Sequence, residues 1–161
     1  MAATGNLKVM AHNEREIVMT RVFDAPRSLV FEAYTKPELL KRWLFGPDGW
    51  SLAVCEIDLK VGGKYRYVWR HSDGREMGMG GVYREIVPSE RVVCTELFDE
   101  DWTGGEALGT IVLTEQDGKT TLTQTMRYAS RDARDNVLKS GMEQGLAASY
   151  DRLAVLLESI K

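Results

Sequence analysis

The sequence predicts an α+β domain: a seven-stranded curved antiparallel sheet wrapped round a long C-terminal helix, with two short helices after the first strand. Three observations carry this expectation. The 161 residues are 43% hydrophobic and 28% charged, the balance of one ordinary globular domain. Seven runs rich in β-branched and aromatic residues are cut by turns built on glycine, proline, serine and aspartate. A last segment ending at Lys161 repeats its apolar residues at helical spacing.

Residues 1–13 are polar and small, and are expected to form a flexible N-terminal arm to a single domain over 14–161. Glu16–Phe23 reads as the first strand. Asp24 is the expected cap of the first helix, with Pro26 in its first turn and Leu29, Val30, Ala33 and Tyr34 at helical spacing. Thr35-Lys36-Pro37-Glu38 reads as a capping box that starts the second helix, and Phe45-Gly46-Pro47-Asp48-Gly49 ends it. Strands are expected near 50–59, 64–71, 76–87, 91–98, 107–115 and 120–128. Their connections include Ser72-Asp73-Gly74 and Asp117-Gly118, short enough for hairpins, so the sheet should be an antiparallel meander. Ser130 is the expected cap of the final helix. Leu138, Met142, Gly145, Leu146, Ser149, Leu153, Leu156, Leu157 and Ile160 fall within one arc of it. Unbroken, a 30-residue helix would be about 45 Å long; Gly141 is where a bend is expected.

Alternation along each strand sorts the two faces of the sheet. Tyr65, Tyr67 and Trp69 should point inward, as should Leu122, Gln124, Met126 and Tyr128. Met77, Met79, Gly81 and Tyr83 form a similar set. The 91–98 strand is ambiguous: neither Val92/Cys94/Glu96 nor Val93/Thr95/Leu97 is clearly the wet face. Opposite the aromatic face, the early part of the final helix offers the small or flexible Met142, Gly145 and Ser149. Small residues facing large ones either allow close approach or leave space, and space is the reading taken here. A pocket is therefore expected, with Tyr65, Tyr67, Trp69, Met79, Tyr83, Gln124 and Met126 on its sheet side and Met142, Gly145 and Ser149 on its helix side. Trp43 and Phe45 should lie near its mouth. The plainer alternative is that the aromatics simply fill the core. An inward Gln124 needs hydrogen-bond partners, from neighbouring backbone and water or from a ligand.

Other chemistry is sparse. Net charge is −3 and the pI is near 5.5, which argues against a nucleic-acid partner. No stretch of eighteen apolar residues exists, and the N-terminal residues carry no apolar secretory segment. No membrane association and a cytoplasmic location are the expectation. Cys55 and Cys94 should be buried and reduced. His12 and His71 read as surface residues. No metal-binding, nucleophile-elbow or phosphate-loop spacing occurs, so no metal, cofactor or catalytic residue is assigned.

Several stretches carry a resemblance. They are Thr20–Pro26, Val30-Phe31-Glu32-Ala33-Tyr34-Thr35-Lys36-Pro37-Glu38, Leu40-Lys41-Arg42-Trp43, Cys55–Tyr65 and Gly81–Arg91. In these the chain resembles the bacterial single-domain proteins named after the C-terminal domain of activators of the heat-shock-protein-90 ATPase. Those belong to the START-like (SRPBCC) superfamily, which also holds polyketide cyclases and lipid-transfer domains. The resemblance spans roughly residues 14–160 and implies a helix-grip fold, with a cavity between the long helix and the sheet. It carries over no catalytic residue, and a shared fold hosts many functions.

The expected function is binding of a small, largely apolar molecule in that cavity. Alternatives are a cyclase- or lyase-type enzyme using the same cavity, or a chaperone-interacting module whose partner would be a heat-shock protein. An enzyme should gather several polar groups around Gln124, whereas a carrier needs few. An exposed sheet edge could also support a homodimer.

Overall fold

The structure is a computed structural model and describes residues 7–161. Its elements are β1 (Lys8–His12), β2 (Glu16–Phe23), α1 (Arg27–Thr35), α2 (Pro37–Leu40), β3 (Trp50–Ile57), β4 (Lys64–His71), β5 (Glu76–Val87), β6 (Arg91–Phe98), β7 (Ala107–Gln116), β8 (Lys119–Arg127), α3 (Arg131–Lys139) and α4 (Met142–Ile160). All strands join one antiparallel sheet in the order β1-β2-β8-β7-β6-β5-β4-β3. The short helices carry the chain from β2 to the far edge at β3. A six-strand meander then returns to β8, which pairs with β2 from Glu16↔Arg127 to Phe23↔Thr120.

Bends in the strands curve the sheet. Register shifts lie between Leu52 and Val54 in β3, and between Tyr83 and Glu85 in β5. Gly81 permits the second bend, since a Cβ there would collide with the Thr95 carbonyl. The β7–β8 hairpin closes on Asp117 and Gly118, both at positive φ (54° and 77°), as a two-residue Asp-Gly turn requires.

Among the described residues the sheet has eight strands rather than seven. Residues 8–12, expected in a flexible arm, pair with β2 from Lys8↔Thr20 to His12↔Glu16. The Asn13 side chain holds that hairpin by accepting from the Arg15 and Glu16 N–H groups. Residues 1–6 of the expected arm lie outside the described residues.

Two helix starts also differ from expectation. Pro26, not Asp24, precedes α1, and Lys36, not Thr35, precedes α2. Thr35 instead closes α1, its hydroxyl donating to the Phe31 carbonyl at 2.8 Å. Pro37 explains the shift: the residue before a proline is driven to extended backbone, and Lys36 sits at φ −101°, ψ 120°.

The expected 30-residue helix is two helices. Ser130 caps α3 as expected, accepting from the Ala133 N–H at 3.0 Å. Gly141 then sits in the left-handed region at φ 83° and breaks the chain before α4. The 19 residues of α4 span about 28 Å.

The break divides the core. Tyr150 and Leu153 of α4 pack with Phe23, Trp43, Leu113 and Leu122 in one part. Under α3 lie Ile17, Met19, Met126, Tyr128, Ala133 and Val137. Leu146, in the second turn of α4, packs against both groups. Among the described residues no helix is long and apolar enough to cross a membrane.

Candidate functional site: a two-chambered cavity

Where the two cores meet, the helices and the sheet do not close. A first chamber of about 190 Å³ is walled by Tyr65, Tyr67 and Trp69 from β4 and by Met79 and Tyr83 from β5. Tyr34, Trp43 and Leu44 cover it from the short-helix side. A second chamber of about 150 Å³ lies towards α3, between Met19, Phe98, Trp102, Met126, Val137 and Met142. Glu96, Gln124 and Leu146 border both chambers and form the waist between them.

Period-2 alternation puts the aromatic side chains of β4 on the inner face. Hydrogen bonds to β6 and to the segment after α2 hold two of them in place. Tyr65 donates to the Thr95 carbonyl, and Trp69 Nε1 donates to the Leu44 carbonyl at 2.9 Å. Trp43 is fully buried and its Nε1 donates to the Ala33 carbonyl at 3.0 Å. From α4, the Arg152 guanidinium donates to the carbonyls of Trp43 (3.1 Å) and Gly46 (2.8 Å). The segment covering the first chamber is thus fastened to both the sheet and the helix.

Besides Thr35 and Arg91 in the first chamber and Thr103 in the second, two polar features stand at the waist. Tyr150 donates to Gln124 Oε1 at 3.1 Å, and the Tyr34 hydroxyl is 2.5 Å from that of Tyr150. Since the Tyr150 proton is used on Gln124, Tyr34 donates to Tyr150. Among the described residues the Gln124 amide nitrogen finds only the Met126 sulfur, at 3.5 Å. Burial pushes both tyrosine hydroxyls above their ordinary pKa.

The second feature is Glu96, which is half-buried and borders both chambers. Among the described residues it forms no side-chain hydrogen bond or ion pair. Burial alone pushes its carboxyl up to about 7. Burial likewise raises the Cys94 thiol, in the first chamber, and the Cys55 thiol, both to about 11. Cys55 is buried, Cys94 half-buried, and both are unpaired.

The structure brings most of the expected residues together. Trp43, Tyr65, Tyr67, Trp69, Met79 and Tyr83 border the first chamber, Gln124 borders both, and Met126 and Met142 border the second. Three lie elsewhere. Phe45 is set aside under Arg152, whose guanidinium carbon is 4.1 Å from the ring centre. Ser149 is buried but borders neither chamber. Gly145 is exposed, and a Cβ there would meet nothing within 4 Å. The inner stripe of α4 runs through Leu146, Tyr150, Leu153 and Leu157. Tyr150 fills the room that small residues were expected to leave. Met77, also expected inward, is 43% exposed at the end of β5.

Glu96 and Tyr150 are the residues that sequence reading passed over. Glu96 could be placed only from strand register. Met79 pairs with Phe98 and Tyr83 with Cys94, so the inner face of β6 carries Val92, Cys94, Glu96 and Phe98. Val93, Thr95 and Leu97 take the other face, which borders wide hollows rimmed by Lys64, Arg66 and Glu106. The larger of these is about 790 Å³. It is shallow and open, so an apolar molecule would lose little water-exposed surface there.

The family model described as Activator of Hsp90 ATPase homolog 1-like protein matches residues 24–158. A crystal structure of a protein from Rhodobacter sphaeroides is 33% identical over 96% of this chain and 99% of that one, with a TM-score of 0.91. A protein from Chromobacterium violaceum is 30% identical over 89% of this chain and 97% of its own, with a TM-score of 0.75. A protein from Nitrosomonas europaea, 24% identical over 92% of this chain and 97% of that one, shares the fold at a TM-score of 0.81. No curated protein matches the chain.

Proposed function

The chain belongs to the Activator of Hsp90 ATPase homolog 1-like family, and we propose that this member binds a small, largely apolar molecule in the cavity between α4 and the sheet. One observation carries the reading: an aromatic-walled space remains where the two cores meet, in a domain whose helix ends pack densely. Its first chamber is of the size class of a cavity of about 150 Å³ that takes up benzene. A ligand ring burying roughly 150 Å² gains about 4 kcal/mol before association costs are subtracted. One ring is therefore a weak ligand, and tight binding calls for a molecule that also reaches the second chamber.

A second reading has its own support. Glu96, Gln124, Tyr150 and Tyr34 put four polar side chains at or beside the waist. A carboxyl near 7 suits proton transfer at neutral pH. A cyclase- or lyase-type reaction would use that carboxyl on a substrate held in the same cavity.

Native mass spectrometry of the purified protein tests the first reading, with an apolar fluorescent probe as a second measurement. A one-to-one adduct, or probe uptake that a tighter ligand displaces, is expected. Protein free of adduct that also fails to take up the probe would overturn it. Turnover of the bound molecule, lost in Glu96→Gln, would decide for the enzyme.

A further inference from the structure

We propose that the molecule taken up by this cavity carries a protonated amine on an aromatic or apolar body, and that the amine sits at the waist against the Glu96 carboxylate. The inference rests on the cavity reading above and names its ligand class. Three observations converge on it. Glu96 borders both chambers, so a group placed there lies in the path of any molecule that spans them. Its carboxyl is half-buried in a largely apolar lining and has no cation and no hydrogen-bond donor among the described residues, so a ligand cation would find an unpaired partner there. The walls around it are rings, and the negative faces of tyrosine and tryptophan attract cations; an aromatic box closed by one carboxylate suits an ammonium group.

Among the described residues no cation pairs with Glu96 at the waist. Tyr65 and Tyr67 of β4, Tyr83 of β5 and Cys94 of β6 face this space, with Tyr128 after β8. Tyr34 of α1 borders the first chamber, and Tyr150 of α4 reaches Gln124. All these phenols and the thiol are held above their ordinary pKa by burial. β2, β7 and α3 line it with the uncharged Met19, Ile111, Leu113 and Val137, and Arg21, a wholly buried cation on β2 near Tyr150, is paired with Asp151 of α4. Asp101, in the loop beside Trp102, accepts from the N–H groups of Gly104 and Gly105. Arg91 borders the first chamber and is paired with Glu85. Glu96 is therefore the cavity group that titrates near neutral pH. Binding an ammonium ion takes the carboxyl to carboxylate and releases its proton to the buffer.

The test compares 2-phenylethylamine with its neutral analogue 2-phenylethanol, by calorimetry and by tryptophan fluorescence. Wild-type protein at pH 8 should bind the amine at least tenfold tighter. Its amine affinity should fall by up to about tenfold per pH unit below roughly 7, with proton release seen as a buffer-dependent heat. The alcohol should show no such fall. In Glu96→Gln the amine-to-alcohol ratio should collapse to about one. The wild-type pH profile stands as a separate measurement should that variant fold poorly. An amine that binds no better than the alcohol at pH 8, or an alcohol that binds best at low pH while the amine is excluded, would overturn the amine assignment and leave the cavity reading standing. Failure of both compounds, together with failure of the apolar probe, would remove both.

Discussion

Glu96 makes the stability of the fold depend on pH in an unusual direction for a carboxylic acid. Its pKa is raised from an ordinary 4.5 to about 7 in the folded chain, because burial disfavours the charged form. Between these values the folded state binds more protons than the unfolded one. The contribution from Glu96 is therefore fully present below 4.5 and is lost as pH rises through 7. At about 1.4 kcal/mol per unit, the loss is at most roughly 3–4 kcal/mol. Denaturant melts from pH 4.5 to 8 should show this decline in the wild type and a flatter profile in Glu96→Gln. Parallel profiles would mean that Glu96 is solvated. Arg21 is a different kind of buried charge. Its guanidinium is wholly enclosed, lies 5.3 Å over the Phe23 ring and meets one carboxylate oxygen, Asp151 Oδ1, at 2.9 Å. That pair ties β2 to α4 beneath Tyr150, at the cost of burying a cation.

Helix α4 shows where helical periodicity informs and where it misleads. Leu153 and Leu157 are buried, as the spacing implied, and replacing either with Ala should cost about 2–5 kcal/mol in denaturant melts. A change below about half a kcal/mol in both would contradict the packing described here. Gly145, by contrast, is a helical glycine on an open surface. Gly145→Ala should raise stability by up to about 1 kcal/mol and leave probe binding unchanged. Periodicity gives the angle of each residue about the axis but not the angle of contact, and the new start at Gly141 centres that contact on Tyr150.

For the molecule as a whole, the waist is the point of control. Leu146 packs against both cores and borders both chambers. Leu146→Trp should fill the waist, cost about 1–3 kcal/mol of stability through overpacking, and abolish binding of any ligand that spans both chambers. Retained binding with unchanged affinity would place the ligand elsewhere. Cys55 and Cys94 report on the compartment. With both thiols near 11 they are poor nucleophiles at neutral pH. Two free groups are expected from thiol titration of the denatured protein without reductant, the outcome a reducing compartment would give.

Much of this was readable in one dimension. The strands from 16 to 127, the hairpin at Asp117-Gly118, the cap at Ser130 and the aromatic face of Tyr65, Tyr67 and Trp69 follow from local physics. Alternation, positive φ and side-chain capping act over a few residues, so composition and spacing encode them. The eighth strand was not readable, since Lys8–His12 becomes a strand only by pairing with β2. Nor was the inner face of β6, because each of its faces mixes apolar residues with a polar one and only the register with Met79 and Tyr83 turns Glu96 towards the cavity. The waist depends on three separate elements, β6, β8 and α4, meeting at one place. A cavity is a failure of distant surfaces to touch, and no local rule records it.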